Sequence, residues 1–132
     1  MNNLKIILSL LLILMSTSLF AQRYVYLDGS GNRYDFMSKR IEYIPVKKEN
    51  SSSGEYSGGT RKDVNVSKED NKLLKAAFEK AIKATAEHQE TREMMTGIVI
   101  KGKKNNSPSV ILKPDSAAKK ELEELLKKLI SK

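Results

Sequence analysis

Arg23-Tyr24-Val25-Tyr26-Leu27 and Arg33-Tyr34-Asp35-Phe36-Met37 are two β-prone runs on either side of Asp28-Gly29-Ser30-Gly31-Asn32. Glycine tolerates positive φ, and Asp and Asn favour turns, so the two runs are expected to pair as an antiparallel hairpin. Arg40-Ile41-Glu42-Tyr43-Ile44-Pro45-Val46 follows as a third strand. Its alternation slips between Tyr43 and Ile44, and Pro45 has no amide proton, which marks a bulged or edge strand.

Moving outward along the chain, residues 47–60 include Ser51-Ser52-Ser53-Gly54-Glu55-Tyr56-Ser57-Gly58-Gly59, too polar and Gly/Ser-rich for a core element, and predict a flexible loop. Val64 and Val66 alternate with polar neighbours in a short strand that runs into a helix start. Ser67 with Asp70 fits a capping box, and Leu74, Ala77, Phe78, Ala81, Ile82 and Thr85 make an apolar stripe, so a helix is expected from Ser67 to His88. A second hairpin is expected from Arg92–Lys101 and Ser109–Lys113, centred on Ile98-Val99-Ile100. Asp115 or Ser116 then caps a helix with Ala118, Leu122, Leu125, Leu126 and Leu129 on one side, and Glu123 with Lys127 and Glu124 with Lys128 are spaced for i,i+4 pairing.

The order β-β-β-loop-β-α-β-β-α predicts an α+β domain of two layers: a mostly antiparallel sheet with two amphipathic helices on one face. Phe78, Ile82, Leu122, Leu125, Leu126 and Leu129 are expected to be buried against the sheet through Ile98, Ile100, Val110 or Leu112.

Upstream of the hairpin, Lys5, the apolar run Ile6–Met15 and the small polar exit Ser16–Ala21 have the layout of a secretory signal peptide cleaved between Ala21 and Gln22. The apolar core is roughly half the length of about 20 residues that a membrane span needs, so no stable span is expected after cleavage. With Cys absent there is no acceptor for a lipid anchor either. The Leu-Phe-Ala-Gln exit resembles export signals of Gram-negative bacteria, which implies the periplasm or the medium. Of the 132 residues, 111 then remain as a single domain that must fold on its core alone, without disulfides.

Removing Lys5 from the 24 basic side chains leaves 23 against 16 acidic ones, a formal net charge of +7. A basic chain raises nucleic acid as a partner, but export places this one among envelope proteins and anionic glycans or glycolipids, and those are the expected partners. One His and no Cys leave no ligand set for a structural zinc site and no cysteine nucleophile, and no cofactor is expected. Asp28, Ser30 and Asn32 have the first spacings of a calcium loop, but Arg33 and Lys39 stand where Gly and the bidentate Glu belong. Ser57 with His88 is the formal start of a serine hydrolase, the second alternative function, yet no pattern brings them together.

The candidate binding residues are Tyr24, Tyr26, Ser53, Tyr56 and Ser57, with Lys101, Lys103 and Lys104 at a cationic hairpin tip. All five tyrosines lie between residues 24 and 56. Tyrosine offers large contact area at low entropic cost; the competing reading is that most are strand residues with hydroxyls at the rim. Together these observations predict a non-catalytic binding module. The order strand, Gly58-Gly59, strand, capped helix, hairpin and Leu-rich helix over residues 40–130 resembles the emfourin-type inhibitors of secreted metalloproteases. That resemblance implies protease inhibition as the first alternative, and it carries over no inhibitory residue. Intact-mass measurement of the exported protein is expected to place the amino terminus at Gln22; a membrane-bound species retaining residues 1–21 would contradict soluble export.

Overall fold

In the computed structural model the described residues are 22–51, 58–102 and 107–132, with Asn3 and Ile6. The rest of the expected export signal, including Ala21, and the candidates Ser53, Tyr56, Ser57, Lys103 and Lys104 lie outside them. From Gln22 onward the described residues form β1 (Arg23–Leu27), β2 (Arg33–Met37), β3 (Arg40–Ile44), β4 (Lys62–Asn65), α1 (Lys68–Lys83), β5 (His88–Gln89), β6 (Gly97–Lys101), β7 (Ser109–Leu112) and α2 (Ala117–Ile130). The strands make one open sheet in the order β4-β3-β2-β1-β6-β7-β5, antiparallel at every pairing. The α+β fold expected from the sequence is thus the observed one, with the first hairpin at the sheet's centre.

The hairpin turn works as its residues suggest. Asp28 Oδ1 accepts the backbone N–H groups of Ser30 and Asn32, and Gly31 takes φ +91°. The carboxylate is thereby used inside the turn. Asn32 then spends its side-chain oxygen on Val46 N–H, fastening the end of β3 to the turn. The 47–60 connection begins with a 3-10 turn at Lys48–Asn50, and Gly58 is held where its carbonyl accepts the Tyr43 hydroxyl.

Alternation sends Tyr24, Tyr26, Tyr34, Phe36, Ile41, Tyr43, Val99 and Leu112 to one face, where they are buried with Leu74, Phe78, Leu122, Leu126 and Leu129 of the helices. Phe78 stacks on Tyr24 at 4.8 Å between centroids and lies parallel to Phe36 at 6.1 Å. Each central tyrosine also ties down one helix. The Tyr24 hydroxyl donates to Glu79 of α1 at 2.7 Å, and the Tyr26 hydroxyl donates to Glu123 of α2. Each carboxylate is neutralised in turn by a lysine, Lys101 at 2.6 Å for Glu79 and Lys119 at 3.1 Å for Glu123. Gly97 leaves the room that Tyr26 fills: a Cβ there would stand 2.6 Å from the phenol oxygen.

Six expectations are corrected. β3 is neither bulged nor at an edge, since it pairs in unbroken register with β2 and β4 and ends before Pro45, and the strand expected from Arg92 begins only at Gly97. Ile98 and Ile100 point away from the helices; the core residue of that run is Val99, because the register Tyr26↔Val99 puts the middle residue on the tyrosine face. The first helix stops at Lys83 and does not reach His88. Glu87 is needed elsewhere: its Oε1 accepts Ala118 N–H and Ser116 Oγ–H at the start of α2, while its carbonyl accepts Lys113 N–H, which draws His88 into the two-residue strand β5. Glu123 turns to Tyr26 and Lys119 rather than to Lys127, since burial makes the inner partners the stronger ones. Leu125 and Ile82 are only partly buried, at the edge of the apolar stripe. Ser67 and Ser116 do cap the two helices, accepting from Asp70 and Lys119 N–H.

Because Tyr26 is locked between Val99 and Glu123, Gly97→Ala is expected to lower unfolding free energy by about 1–3 kcal/mol through overpacking, and Phe78→Ala by about 3–5 kcal/mol through the cavity it leaves. Chemical denaturation measures both; a neutral Gly97→Ala would show that the tyrosine is free to move.

Candidate functional site

The face of the sheet away from the helices carries a pattern that three short segments share. Arg33-Tyr34-Asp35 in β2, Arg40-Ile41-Glu42 in β3 and Arg61-Lys62-Asp63 entering β4 each read Arg-x-acid, so period-2 alternation sends arginine and carboxylate to the same side. The antiparallel register aligns Asp35↔Glu42↔Asp63, three carboxylates directly opposite one another. Like charges in that position repel. The arrangement holds because the same register alternates the arginines to either side of the acidic row. Arg23 of β1 grips Asp35 with two prongs, Nε to Oδ1 at 2.7 Å and Nη2 to Oδ2; Arg33 adds a contact at 3.3 Å; Arg40 pairs with Asp63 and Arg61 with Glu42.

The lattice is layered in depth. The Asp35 side chain is 10% exposed, whereas Arg40 and Arg61 are 63% and 67% exposed, so Asp35 forms the floor and these two guanidiniums the outer surface. A cleft of about 240 Å³ lined by Arg23, Asp35, Met37, Arg40 and Glu42 opens between them. Burial pushes the Asp35 carboxyl up, but hydrogen bonding and charge from Arg23, with the charge of Arg33, outweigh it and hold the group below its usual range. Next to the lattice, the neighbouring strands place Val25, Leu27, Ile98, Ile100 and Ile111 on the same face, with Val25 buried and the other four partly exposed. No helix of the described residues covers either half.

The sequence-predicted binding residues lie elsewhere. Tyr24 and Tyr26 are 2% and 0% exposed, which corrects their assignment to a contact surface: they are the rivets between sheet and helices. Burial, then hydrogen bonding to Glu79 and Glu123, raises both phenols well above the usual tyrosine range. Lys101 turns inward to Glu79 and lies 5.9 Å from the centre of the Tyr24 ring. Gln22 is exposed at the start of β1. His88 Nε2 donates to the Ala81 carbonyl at 2.8 Å, which commits that nitrogen to the backbone. Among the described residues no group of His, Asp and Glu is disposed to hold a metal ion, and no helix is long and apolar enough to cross a membrane.

The signal that sequence reading missed was residue choice. The chain has five arginines, and Arg23, Arg33, Arg40 and Arg61 all belong to this lattice, while its 19 lysines are spread elsewhere. The repeated Arg-x-acid triplet would have located the face.

The Asp35 shift sets a pH dependence. A carboxylate held low in the fold contributes stability that is full above its unfolded value of about 3.9 and lost as pH falls toward the folded one. Glu79 is lowered by its hydrogen bonds from Lys101 and then Tyr24, and acts in the same direction. At the alkaline end, the raised phenols contribute stability that is full below about pH 10 and lost above it. Melting temperature against pH is expected to be flat between these limbs. Asp35→Asn, which leaves two arginines facing a neutral amide, is expected to cost about 1–3 kcal/mol at neutral pH and to flatten the acid limb; an unchanged acid limb would show that the lattice does not form in solution. Compared with known proteins, the chain matches no family model, no curated protein and no solved structure.

Proposed function

We propose that the chain is a non-catalytic interaction module of the exported compartment, periplasm or medium, and that it meets a protein partner through the uncovered sheet face. The observation that carries this reading is the gathering of four of five arginines on that face, with the guanidiniums of Arg40 and Arg61 at its outer surface. Arginine is enriched and lysine depleted in protein interfaces, because a planar guanidinium is weakly hydrated and binds carboxylates through paired donors. The adjoining strip of Leu27, Ile98, Ile100 and Ile111 supplies apolar area beside the charges. The complementary surface is therefore an acidic protein patch bordering an apolar one. Electrostatic matching would set orientation and association rate, and the strip would supply the desolvated centre.

The test compares the exported protein with an Arg40→Ala/Arg61→Ala variant as bait for envelope proteins. Both arginines are largely exposed, so each pair is worth at most about 1 kcal/mol and the variant is expected to stay folded with a stability loss of up to about 2 kcal/mol. A protein retained in stoichiometric amount by the wild type is expected to bind the variant about tenfold more weakly or worse. Equal retention by both would overturn the assignment of this face. If the partner is a secreted metalloprotease, as the element order suggests, its activity is lost on adding an equal amount of the protein, and the variant restores it.

A further inference from the structure

A second charged surface, outside the sheet-face lattice, is made by lysines alone. Lys68, Lys72 and Lys75 recur at i, i+4 and i+7 on α1, and Lys39 faces them from the turn between β2 and β3. With Gln22, Ser38 and Asn71 they line a groove of about 310 Å³. The backbone carrying Lys39 is fixed to the helix start: Val66 N–H donates to the Lys39 carbonyl and Asn71 Nδ2 donates to the Ser38 carbonyl, with Ser38 at φ 60°. None of the four lysines forms an ion pair among the described residues. By contrast Lys80, Lys101, Lys119 and Lys132 each hold a carboxylate.

The placement opposes helix stability. Like charges at i,i+4 repel, and cations in the first turns face the positive end of the helix dipole; both effects are unfavourable. The first-turn acids give little relief on this side. Asp70 is bonded to Lys132, and Glu69, three residues before Lys72, forms an ion pair with none of the four lysines among the described residues, so it offsets only part of the repulsion. Four lysines around one concavity, with the amide side chain of Gln22 beside them, match a ligand with several anionic oxygens on neighbouring centres.

We propose that this groove binds a ligand carrying two or more phosphate groups, with the lysines taking the charge and Gln22 bonding to ester or hydroxyl oxygens. The ligand is a soluble phosphate ester or the headgroup of an anionic lipid, and the binding is independent of the sheet face.

Pyrophosphate titrated into the protein at constant ionic strength, followed by amide NMR, tests it. Saturable shifts are expected at residues 38–39 and 68–75, with affinity falling about tenfold in Lys72→Gln/Lys75→Gln and little changed in Lys127→Gln/Lys128→Gln, which removes the same charge elsewhere. Sedimentation with vesicles containing cardiolipin, whose headgroup carries two phosphates, lost in the groove variant alone, assigns the lipid headgroup; groove binding of pyrophosphate without sedimentation assigns the soluble ester. Unsaturable shifts at lysines throughout the chain, or equal weakening in both variants, would overturn the proposal. Either result leaves the Arg40 and Arg61 experiment unaffected.

Discussion

Two phenol-to-carboxylate hydrogen bonds from a single central strand hold the layers in register. Tyr24 and Tyr26 stand two residues apart, so both point toward the helices, and each donates to a glutamate on a different helix. A buried aromatic is otherwise indifferent to small slides across an apolar surface. A hydroxyl that must reach a carboxylate is not: a slide that separates them leaves a phenol donor among apolar side chains without its acceptor. The aromatic stack of Tyr24, Phe36 and Phe78 supplies the burial, and the two hydrogen bonds decide where along the sheet it is made.

That anchoring also accounts for what is left open. With both helices committed to the tyrosine face, the reverse of the sheet has, among the described residues, no helix to cover it. On the β2–β3–β4 half the chain solves this with arginine and carboxylate in alternating rows, which also makes the charged strand β4 a poor template for edge pairing. On the β1–β6–β7 half it uses branched aliphatics, which shelter Val25 but stay partly exposed themselves.

Fold class was legible because its signals are local. The alternation around the Asp28–Asn32 turn, the caps at Ser67 and Ser116 and the apolar stripe of Leu122, Leu126 and Leu129 are all set within a few residues. The errors fell where a distant partner decides. Ile98-Val99-Ile100 is apolar at every position, so its own pattern cannot say which side faces the helices; pairing with β1 does. Helical periodicity runs toward His88, yet Glu87 is drawn off to the start of α2, some thirty residues on. The placing of β6 beside β1 is likewise absent from any local spacing. The site was misjudged for a related reason: tyrosines were weighed by residue type as contact surface, whereas their alternation with Arg23, Val25 and Leu27 already put them on one side. The Arg-x-acid triplets were written in the same period but are too short to stand out singly.

The space at Gly97 ties the history of two positions together. The Tyr26 phenol occupies the volume that any side chain at 97 would need, and its oxygen reaches Glu123 only by lying there. The two positions are coupled: a larger residue at 97 presses on the ring, and a smaller one at 26 leaves a hole and takes from Glu123 its phenol donor, with Lys119 remaining. In descendants of this sequence the two sites, seventy-one residues apart along the chain, constrain each other's substitutions.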